Sequence, residues 1–215
     1  MQINILAGGP TELWPDNIFE EPGQWIGADR GTWYLYQHQV HMKMAVGDFD
    51  SLTLSEYQEL QQHFVDTQVI HVKAEKDETD TELALMYARD MQPTHIKVFG
   101  ATGGRLDHLL SNLWQMGDEK FTVIREKVTF IDKCNAVNYF GPGEHVLIKN
   151  DKTRYLGFMA LANINDFHIK DAKYTLDLNT TQLMPKMWSS NEFIGEQVHF
   201  SLKQGIIMTV QTCDV

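Results

Sequence analysis

The sequence has few cysteines, a shortage of basic residues and no long apolar run, and each shortage excludes a class of protein. Only Cys134 and Cys213 are cysteines among 215 residues. They lie far apart without zinc-type spacing, so we expect two lone thiols rather than a structural metal site. No apolar segment approaches the roughly 18 residues of a membrane span, and the N-terminus lacks the pattern of a signal peptide. We therefore expect a cytoplasmic protein that does not enter membranes.

The charge balance narrows the choice of partners. Lys and Arg number 18 against 29 Asp and Glu, which gives a formal net charge of −11. Nucleic-acid binding usually needs a basic surface to meet phosphates, so we expect none here. A cationic substrate suits this charge, although an anionic one can bind where a metal ion and a few local basic residues neutralise it.

The pattern of apolar residues changes along the chain. Short apolar runs over residues 3–7, 25–28, 42–47, 68–72 and 95–100 alternate with helical patterns over 32–40, 55–64, 81–91 and from 106 onward. This alternation predicts an N-terminal Rossmann-like α/β domain with a parallel sheet over residues 1–127. From about Val128, short alternating runs separated by turns replace the helical pattern. They predict a small β-sandwich over residues 128–215.

The acidic turn after the third predicted strand is the first candidate site. Asp48 and Asp50 follow Gly47, and in an extended segment their side chains share one face while the glycine lets a ligand approach the backbone. Carboxylate oxygens are the ligands that Mg²⁺ prefers. The alternative is a solvated acidic turn after a buried strand.

A second acidic stretch precedes the third predicted helix. Thr79 with Glu82 three residues later predicts an N-cap, which places Asp77 and Asp80 around the helix N-terminus. They suit a second group of site carboxylates. The alternative is that Asp80 and Glu82 only complement the helix dipole.

A glycine-rich turn joins the fifth predicted strand to the fourth predicted helix. It reads Gly-Ala-Thr-Gly-Gly-Arg-Leu-Asp-His over residues 100–108. Such a turn leaves backbone N–H groups free at the positive end of a helix dipole, where phosphate oxygens fit, and Arg105 can add donors. The turn lacks Gly-Lys-Ser/Thr, so a conventional P-loop is not expected. Leu106, Leu109, Leu110 and Leu113 predict one apolar face of the following helix.

Taken together, these motifs resemble those of the thiamine pyrophosphokinase family. The resemblance covers Gly-Ala-Asp-x-Gly at 27–31, Gly-Asp-Phe-Asp-Ser at 47–51, Lys-Asp-x-Thr-Asp at 76–80, the glycine-rich turn at 100–108 and Ser-Asn-Glu-Phe at 190–193. It implies an α/β domain followed by a β-sandwich, a homodimer, and thiamine bound between the α/β domain of one subunit and the sandwich of the other. It also implies transfer of a diphosphate from ATP to the hydroxyl of thiamine, with release of AMP.

The resemblance also implies roles for individual residues. Metal or phosphate binding, with Mg²⁺ as the cofactor, falls to Asp48, Asp50 and Asp77, and these three with Asp80 form the catalytic set. The ATP pocket is implied to contain Asp29, Gly103, Gly104, Arg105, Asp107 and His108. Asp80 is implied at the thiamine end, with Ser190 and Asn191 reaching thiamine from the partner. Asp50 and Asp80 are the nearest candidates for accepting the hydroxyl proton, but no base is assigned.

Some residues keep two interpretations. Arg30 stands where the family usually has a glycine, so it either strains the backbone or faces a phosphate. His108 is either a hydrogen-bonding residue at a helix start or a proton shuttle. Trp188 either stacks on a cationic ring or belongs to the core.

Two other functions would use some of the same motifs. A metal-dependent nucleotide-sugar transferase or phosphohydrolase would explain the Asp-x-Asp pair, yet it leaves the glycine-rich turn and the sandwich without roles. A nucleotide-sensing module without turnover is a third possibility. Incubation with ATP, Mg²⁺ and thiamine separates the three.

Overall fold

The computed structural model describes residues 1–64, 66–73, 75–183 and 185–214. The chain divides into two compact units, one formed by residues 1–115 with 130–133 and the other by 116–129 with 134–215. The structure is mixed α/β, with a large mixed sheet and a four-stranded antiparallel sheet. In the part of the chain that the structure describes, no helix has the length and apolar character needed to cross a membrane.

The first unit consists of parallel strands alternating with helices, as the sequence predicts. Its elements are β1 (Gln2–Leu6), β2 (Gln24–Ala28), α1 (Arg30–Gln37), β3 (Met42–Gly47), α2 (Leu54–His63), β4 (Gln68–His71), α3 (Asp80–Asp90), β5 (His95–Phe99) and α4 (Leu106–Trp114). The strands lie in the order β5-β1-β2-β3-β4, and every neighbouring pair is parallel. The chain thus steps outward from β1 to β4 and then returns to the other side of β1. Ligand pockets of parallel sheets form where the strand order reverses in this way.

Apolar side chains of the strands, of α1 and of the loop after β1 form one core of this unit. Its buried members are Leu6, Trp14, Ile18, Trp25, Leu35, Met42 and Phe99. Parallel strands are buried on both faces, so their sequences are nearly continuous apolar runs, as in the Ile-Asn-Ile-Leu run that ends β1. This burial fixes the strand ends in place, and the loops that follow them inherit defined positions.

Two helix starts test the capping predictions. In α3 the Thr79 hydroxyl accepts a hydrogen bond from the Glu82 N–H at 3.2 Å, which confirms that N-cap. Ser55 with Gln58 three residues later also has the sequence pattern of a capping box and predicts one there, but that prediction is wrong by two residues, because in α2 the box is formed by Thr53 and Glu56. Both Thr53 and Ser55 have a suitable partner three residues later, and the sequence alone does not choose between them.

The buried residues of α3 and α4 are mostly not the large apolar residues that recur at helical spacing. In α3 the buried residues are Thr81, Ala84, Leu85 and Ala88, because small side chains let the helix pack closely on the sheet, whereas Leu83, Met86 and Tyr87 are half-buried. In α4 the predicted apolar face is only partly buried among the described residues, since Leu109 and Leu113 are half-buried. Leu106 and Leu110 are exposed, and the buried residue of the helix is Asn112.

The second unit is built from antiparallel strands. After β6 (Val128–Ile131), which runs across the boundary of the two units' ranges, come β7 (Asn135–Phe140), β8 (Gly143–Ile148), β9 (Tyr155–Ala160), β10 (Phe167–Ile169), β11 (Leu176–Leu178), β12 (Met187–Glu192), β13 (Gln197–Leu202) and β14 (Ile207–Thr212). Within the unit, β12-β9-β14-β7 are neighbours in one sheet and β11-β10-β13-β8 form the other. One buried core takes Leu156 and Phe158 from the first set, and Phe167 and Phe200 from the second.

Alternating runs at 128–131, 136–140, 145–148, 155–161, 198–202 and 206–212 predict six of these strands, and each is confirmed to within two residues of its bounds. The other three strands were not predicted. Strands β10 and β11 have only three residues each, too few for an alternating pattern to be seen. Strand β12 is largely polar, and its register with β9 shifts between Trp188 and Asn191. Such an irregularity breaks the two-residue period on which the prediction depends.

Candidate active site

A pocket of about 990 Å³ lies at the carboxyl ends of the parallel strands in the first unit. It is lined by residues 7–12 after β1, 28–30 at the end of β2, 100–105 after β5, and Asp48, Asp50 and Ser51 after β3, with further residues of the helices and of the segment before α3. The loops after β1 and β5 are joined by a hydrogen bond from the Gly9 N–H to the Gly100 carbonyl at 2.7 Å. The pocket therefore opens at the edge and at the strand reversal where α/β proteins bind ligands.

The Asp48–Asp50 segment forms a tight turn at this edge. Strand β3 ends at Gly47, and the Asp50 N–H donates to Asp48 Oδ1 at 3.1 Å. Between the two acids, Phe49 has a φ of 61° and is buried against the rings of Tyr57 and His71. The predicted extended geometry is therefore wrong, because the turn rather than strand alternation brings the carboxylates together.

Gly47 has a second role, which the sequence did not predict. A Cβ built on Gly47 would lie 3.1 Å from the Asp29 Cα, tighter than most real contacts of a Cβ atom. The Asp29 N–H also donates to the Val46 carbonyl at 2.8 Å. Gly47 thus permits a close approach of the chain after β2, which carries Asp29 to the acidic turn.

Three carboxylates converge in the pocket. One ligand oxygen from each of Asp29, Asp48 and Asp50 lies within 4.8 Å of the others. Asp29 has a φ of 46°, and its Oδ1 is buried without a hydrogen-bond partner among the described residues. Burial raises the pKa of Asp29, the charges of Asp48 and Asp50 raise it further, and hydrogen bonds with Ser51 and with the backbone of Arg30 oppose the shift. A divalent cation fits these residues, because it would supply the partner that the buried oxygen lacks.

A fourth acid and a lysine stand beside this group. Asp80, the first residue of α3, forms an ion pair with Lys76, with 3.0 Å between the Lys76 Nζ and the Asp80 Oδ1. The same Nζ lies 3.5 Å from Asp48 Oδ2. Burial raises the pKa of Asp80, and Lys76 opposes the shift. Asp77 is exposed and belongs neither to the three-carboxylate group nor to the pocket lining. In this turn it is therefore Lys76 that contacts the acids, and a metal role for Asp77 stays a prediction.

The glycine-rich turn also lines the pocket. Gly103 has a φ of 75°, a left-handed conformation that favours glycine. The Thr102 hydroxyl donates to Asp132 Oδ2 at 2.7 Å, and Asn112 Nδ2 donates to the Ala101 carbonyl at 2.8 Å. Both bonds are buried and hold the turn in shape.

Asp132 and Asn112 are functional candidates that the sequence analysis missed. Asn112 offered a signal, since it is a polar residue within a leucine-rich helix pattern, where an amide is expected to have a specific partner when buried. Asp132 offered none, because its contact with Thr102 spans 30 residues.

The start of α4 carries three predicted ATP residues. Arg105, Asp107 and His108 are exposed and line the pocket. Arg105 forms an ion pair with Asp107, with 2.6 Å between Nη2 and Oδ2, and as the N-cap residue it makes no side-chain capping hydrogen bond to α4. Since an uncapped helix start attracts anions, this end of the pocket suits phosphate.

Arg30 is held by protein groups. It is the first residue of α1, and the positive φ falls on Asp29 instead, so of the two interpretations of Arg30 the strained backbone does not hold. Its guanidinium donates to both carboxylate oxygens of Glu56, at 2.7 and 3.0 Å, and to the Ser51 carbonyl at 3.3 Å. Arg30 therefore ties the acidic turn to α2.

Ser190 and Asn191 lie on β12 in the second unit. Ser190 is exposed with a φ of 59°. Asn191 is buried, and its amide accepts from the backbone N–H groups of Tyr174 and Glu192, both at 2.9 Å, and donates to the Tyr174 carbonyl at 2.8 Å. Trp188 packs against the unit's core. In this chain Asn191 is therefore engaged within its own unit, and Ser190 is the free member of the pair.

Fold and pocket define an α/β protein with a ligand site at the carboxyl ends of a parallel sheet, lined by acids and a glycine-rich turn. The family model described as "Thiamin pyrophosphokinase, catalytic domain" matches residues 16–125, and that described as "Thiamin pyrophosphokinase, vitamin B1 binding domain" matches residues 144–207. The chain belongs to the thiamin pyrophosphokinase family, as the motifs predict.

Individual relatives extend over the whole chain. The thiamine pyrophosphokinase of Bacillus subtilis (strain 168) is 37% identical over 216 residues, which cover 99% of each chain. A crystal structure of a thiamin pyrophosphokinase family protein from Enterococcus faecalis superposes with a TM-score of 0.91 at 34% identity, covering 100% of both chains. The B. subtilis crystal structure superposes with a TM-score of 0.88, also at 34% identity and with full coverage.

Proposed function

We propose that this protein is a thiamine pyrophosphokinase that transfers a diphosphate from ATP to thiamine. The observation that carries the proposal is the match of both family models to the chain, together with 37% identity to a thiamine pyrophosphokinase over its full length. The acidic pocket and the glycine-rich turn supply the groups that such a transfer requires. The products are thiamine diphosphate and AMP.

The reaction needs little covalent chemistry from the protein. The hydroxyl oxygen of thiamine bonds to the β-phosphorus of ATP, the bond from that phosphorus to the oxygen bridging to the α-phosphorus breaks, and AMP leaves with the electron pair. The hydroxyl loses its proton, and Asp50 and Asp80 remain the candidate acceptors. Positioning and neutralisation of phosphate charge then carry most of the rate acceleration.

We propose that Asp29, Asp48 and Asp50 hold the Mg²⁺ ion of the site. Their ligand oxygens lie within 4.8 Å of one another, and the buried Asp29 Oδ1 lacks another partner among the described residues. When bound, the ion neutralises phosphate charge that the acids would otherwise repel. Gly103, Gly104 and Arg105 would then bind the phosphates at the other end of the pocket, while Asp80 would face thiamine.

We also propose the finer architecture that the sequence predicted. The strand order of the first unit supports a Rossmann-like domain, and the core shared by two antiparallel sheets supports a β-sandwich. The catalytic domain would extend over residues 1–127 and the thiamine-binding sandwich over 128–215. The cytoplasmic location and the lack of nucleic-acid binding stay predictions.

A homodimer completes the proposal. Leu106, Leu110 and Trp114 recur every four residues along α4 and are 65%, 40% and 39% exposed, so the described residues leave one apolar face of this helix partly open to solvent. A second copy would cover it, since a large apolar face is rarely left open to water. Thiamine would then lie between the acidic pocket of one subunit and the sandwich of the other, where Ser190 is exposed.

Light scattering measures the mass of the protein in solution and so tests the homodimer. Mixed dimers test whether each active site is shared between two subunits. Asp48→Ala and Ser190→Tyr should each be inactive as pure dimers. After they are unfolded and refolded together, about half the dimers are mixed and each has one intact site, so about a quarter of wild-type activity should return. A site made within one chain would recover nothing.

The function itself is tested by product analysis. Incubation with ATP, Mg²⁺ and thiamine should give AMP and thiamine diphosphate in equal amounts. ADP with thiamine monophosphate would contradict diphosphate transfer, ADP or phosphate without thiamine would indicate a hydrolase, and no product would indicate a sensing module.

A further inference from the structure

Lys76 occupies an unusual position between two acids of the pocket. Its Nζ lies 3.0 Å from Asp80 Oδ1 and 3.5 Å from Asp48 Oδ2, and the side chain is only 15% exposed. The other cationic side chains that line the pocket are engaged elsewhere, Arg30 by Glu56 and Arg105 by Asp107. Among the residues that the structure describes, Lys76 is thus the cation that neutralises the acidic cluster.

The two contacts of Lys76 differ in what else needs the same carboxylate. Asp48 belongs to the group that would hold a divalent cation, while Asp80 stands outside that group. An ammonium and a divalent ion cannot share Asp48 without repelling each other across a few ångströms in a partly buried site. Lys76 can keep its contact with Asp80, four residues further along the chain, both with and without a bound divalent cation.

We propose that Lys76 is an exchangeable counter-ion that becomes a phosphate-binding residue when the metal ion enters. Without a metal ion its ammonium binds Asp48 and Asp80. When a divalent cation takes Asp48, the ammonium keeps Asp80 and turns to the polyphosphate in the same pocket. A flexible stem that ends in a point charge suits such a movement better than the planar fork of arginine.

This inference rests on the proposed function and predicts two effects of opposite sign. Lys76→Met removes a competitor for Asp48, so the affinity for a divalent cation without nucleotide should rise, on the order of 3- to 10-fold. The same change removes a charged partner of phosphate, so the affinity for nucleotide in the presence of the cation should fall, on the order of 10-fold. If Lys76 only supported the fold, Lys76→Met would lower the affinity for the cation and the affinity for the nucleotide.

The experiment uses Mn²⁺ alone, followed by a nucleotide that cannot react. Free Mn²⁺ is followed by electron paramagnetic resonance during titration of the wild type, Lys76→Met and Lys76→Arg. Calorimetry with the α,β-methylene analogue of ATP then gives nucleotide affinity at saturating Mn²⁺. Lys43→Met is the matched control, because Lys43 is exposed on β3 and does not line the pocket. Unchanged or weaker Mn²⁺ binding by Lys76→Met, or unchanged nucleotide affinity, would overturn the inference.

A measurement on the wild type covers the case in which Lys76→Met does not fold. Reductive methylation of Lys76, followed by peptide mass spectrometry, should be slow without metal, faster with Mn²⁺ alone, and slow again with Mn²⁺ and the analogue. Constant labelling across the three states would contradict the exchange. Product analysis of the wild type remains a separate test, so a failure of the diphosphate transfer and a failure of the Lys76 exchange are distinguishable.

Discussion

The acids of the first unit's pocket and Asn191 of the second unit are polar groups with opposite surroundings. Asp29 has a buried carboxylate oxygen without a partner among the described residues, and it stands beside two more acids. Asn191 is 3% exposed, and its amide oxygen and nitrogen make three hydrogen bonds to neighbouring backbone. Both belong to motifs of the same family resemblance, so the motifs alone do not separate them.

The difference teaches which residues serve a ligand and which serve the fold. A buried polar group without a partner costs free energy, and a native structure keeps it where function requires it. A fully bonded buried amide stabilises its own surroundings. The pocket acids are therefore expected to lower stability and to support catalysis. Asn191 is expected to raise stability without a direct part in catalysis. The predictions below test this contrast.

The largest effect is expected at the acidic turn. Asp48→Asn removes a charge that neutralises the metal ion, so turnover should fall on the order of 10²-fold or more, as for loss of one preorganised electrostatic group. The fold should be kept, because Asn can still accept the Asp50 N–H. Initial rates of AMP formation and a melting curve measure the two effects.

The matched control is Asp90→Asn, which changes an exposed acid at the end of α3 outside the pocket. It should leave turnover within about 2-fold of the wild type, as a surface change normally does. If Asp48→Asn turns over at a near-normal rate at low Mg²⁺, Asp48 is only a turn residue.

The second effect concerns stability at β12. Asn191→Ala leaves the backbone groups of Tyr174 and Glu192 without their partner, at a cost of about 1–3 kcal/mol. For a chain of this size each kcal/mol lowers the melting temperature by about 2–4 °C. Ser190→Ala, at the exposed neighbour, should change stability by less than about 0.5 kcal/mol. A stable Asn191→Ala protein with a raised KM for thiamine would instead make Asn191 a direct substrate contact.

The third effect has the opposite sign. Asp29→Asn should raise the melting temperature of the metal-free protein by about 2–4 °C, because it removes a buried charge with two acidic neighbours and asparagine tolerates a positive φ. The pKa of Asp29 is raised in the folded protein, so the wild type is destabilised at neutral pH. The melting temperature of Asp29→Asn should exceed that of the wild type by the full amount above this raised pKa. The difference should disappear as the pH falls toward the ordinary value of 3.8. Melting curves across this pH range would contradict the account if the difference grew on acidification.

Much of the architecture followed from the sequence because the apolar patterns are local. All five parallel strands and four helices of the first unit were predicted, and Thr79 was identified as an N-cap. What failed depends on contacts between distant segments. Phe49 adopts a left-handed conformation because its ring packs against Tyr57 and His71, and no local pattern encodes that packing.

The site was predicted only in part, because some of its contacts also join distant segments. The motifs identified Asp29, Asp48 and Asp80, and the structure places all three at one pocket. The contact of Lys76 with Asp48 joins segments 28 residues apart, and the close approach of Gly47 to Asp29 joins two strand ends. Pairings of this kind are set by the sheet order rather than by residue spacing.

The most direct test of the central claim compares metal binding by Asp29→Asn and Asp77→Asn. The account assigns the ion to Asp29, Asp48 and Asp50, whereas the family resemblance places Asp77 beside Asp48 and Asp50. Calorimetric titration of Mg²⁺ in the presence of the α,β-methylene analogue of ATP should show an affinity loss of about 10-fold or more for Asp29→Asn. Asp77→Asn should stay within about 2-fold of the wild type, since this acid is exposed outside the pocket lining. A large loss for Asp77→Asn with normal binding by Asp29→Asn would contradict the account.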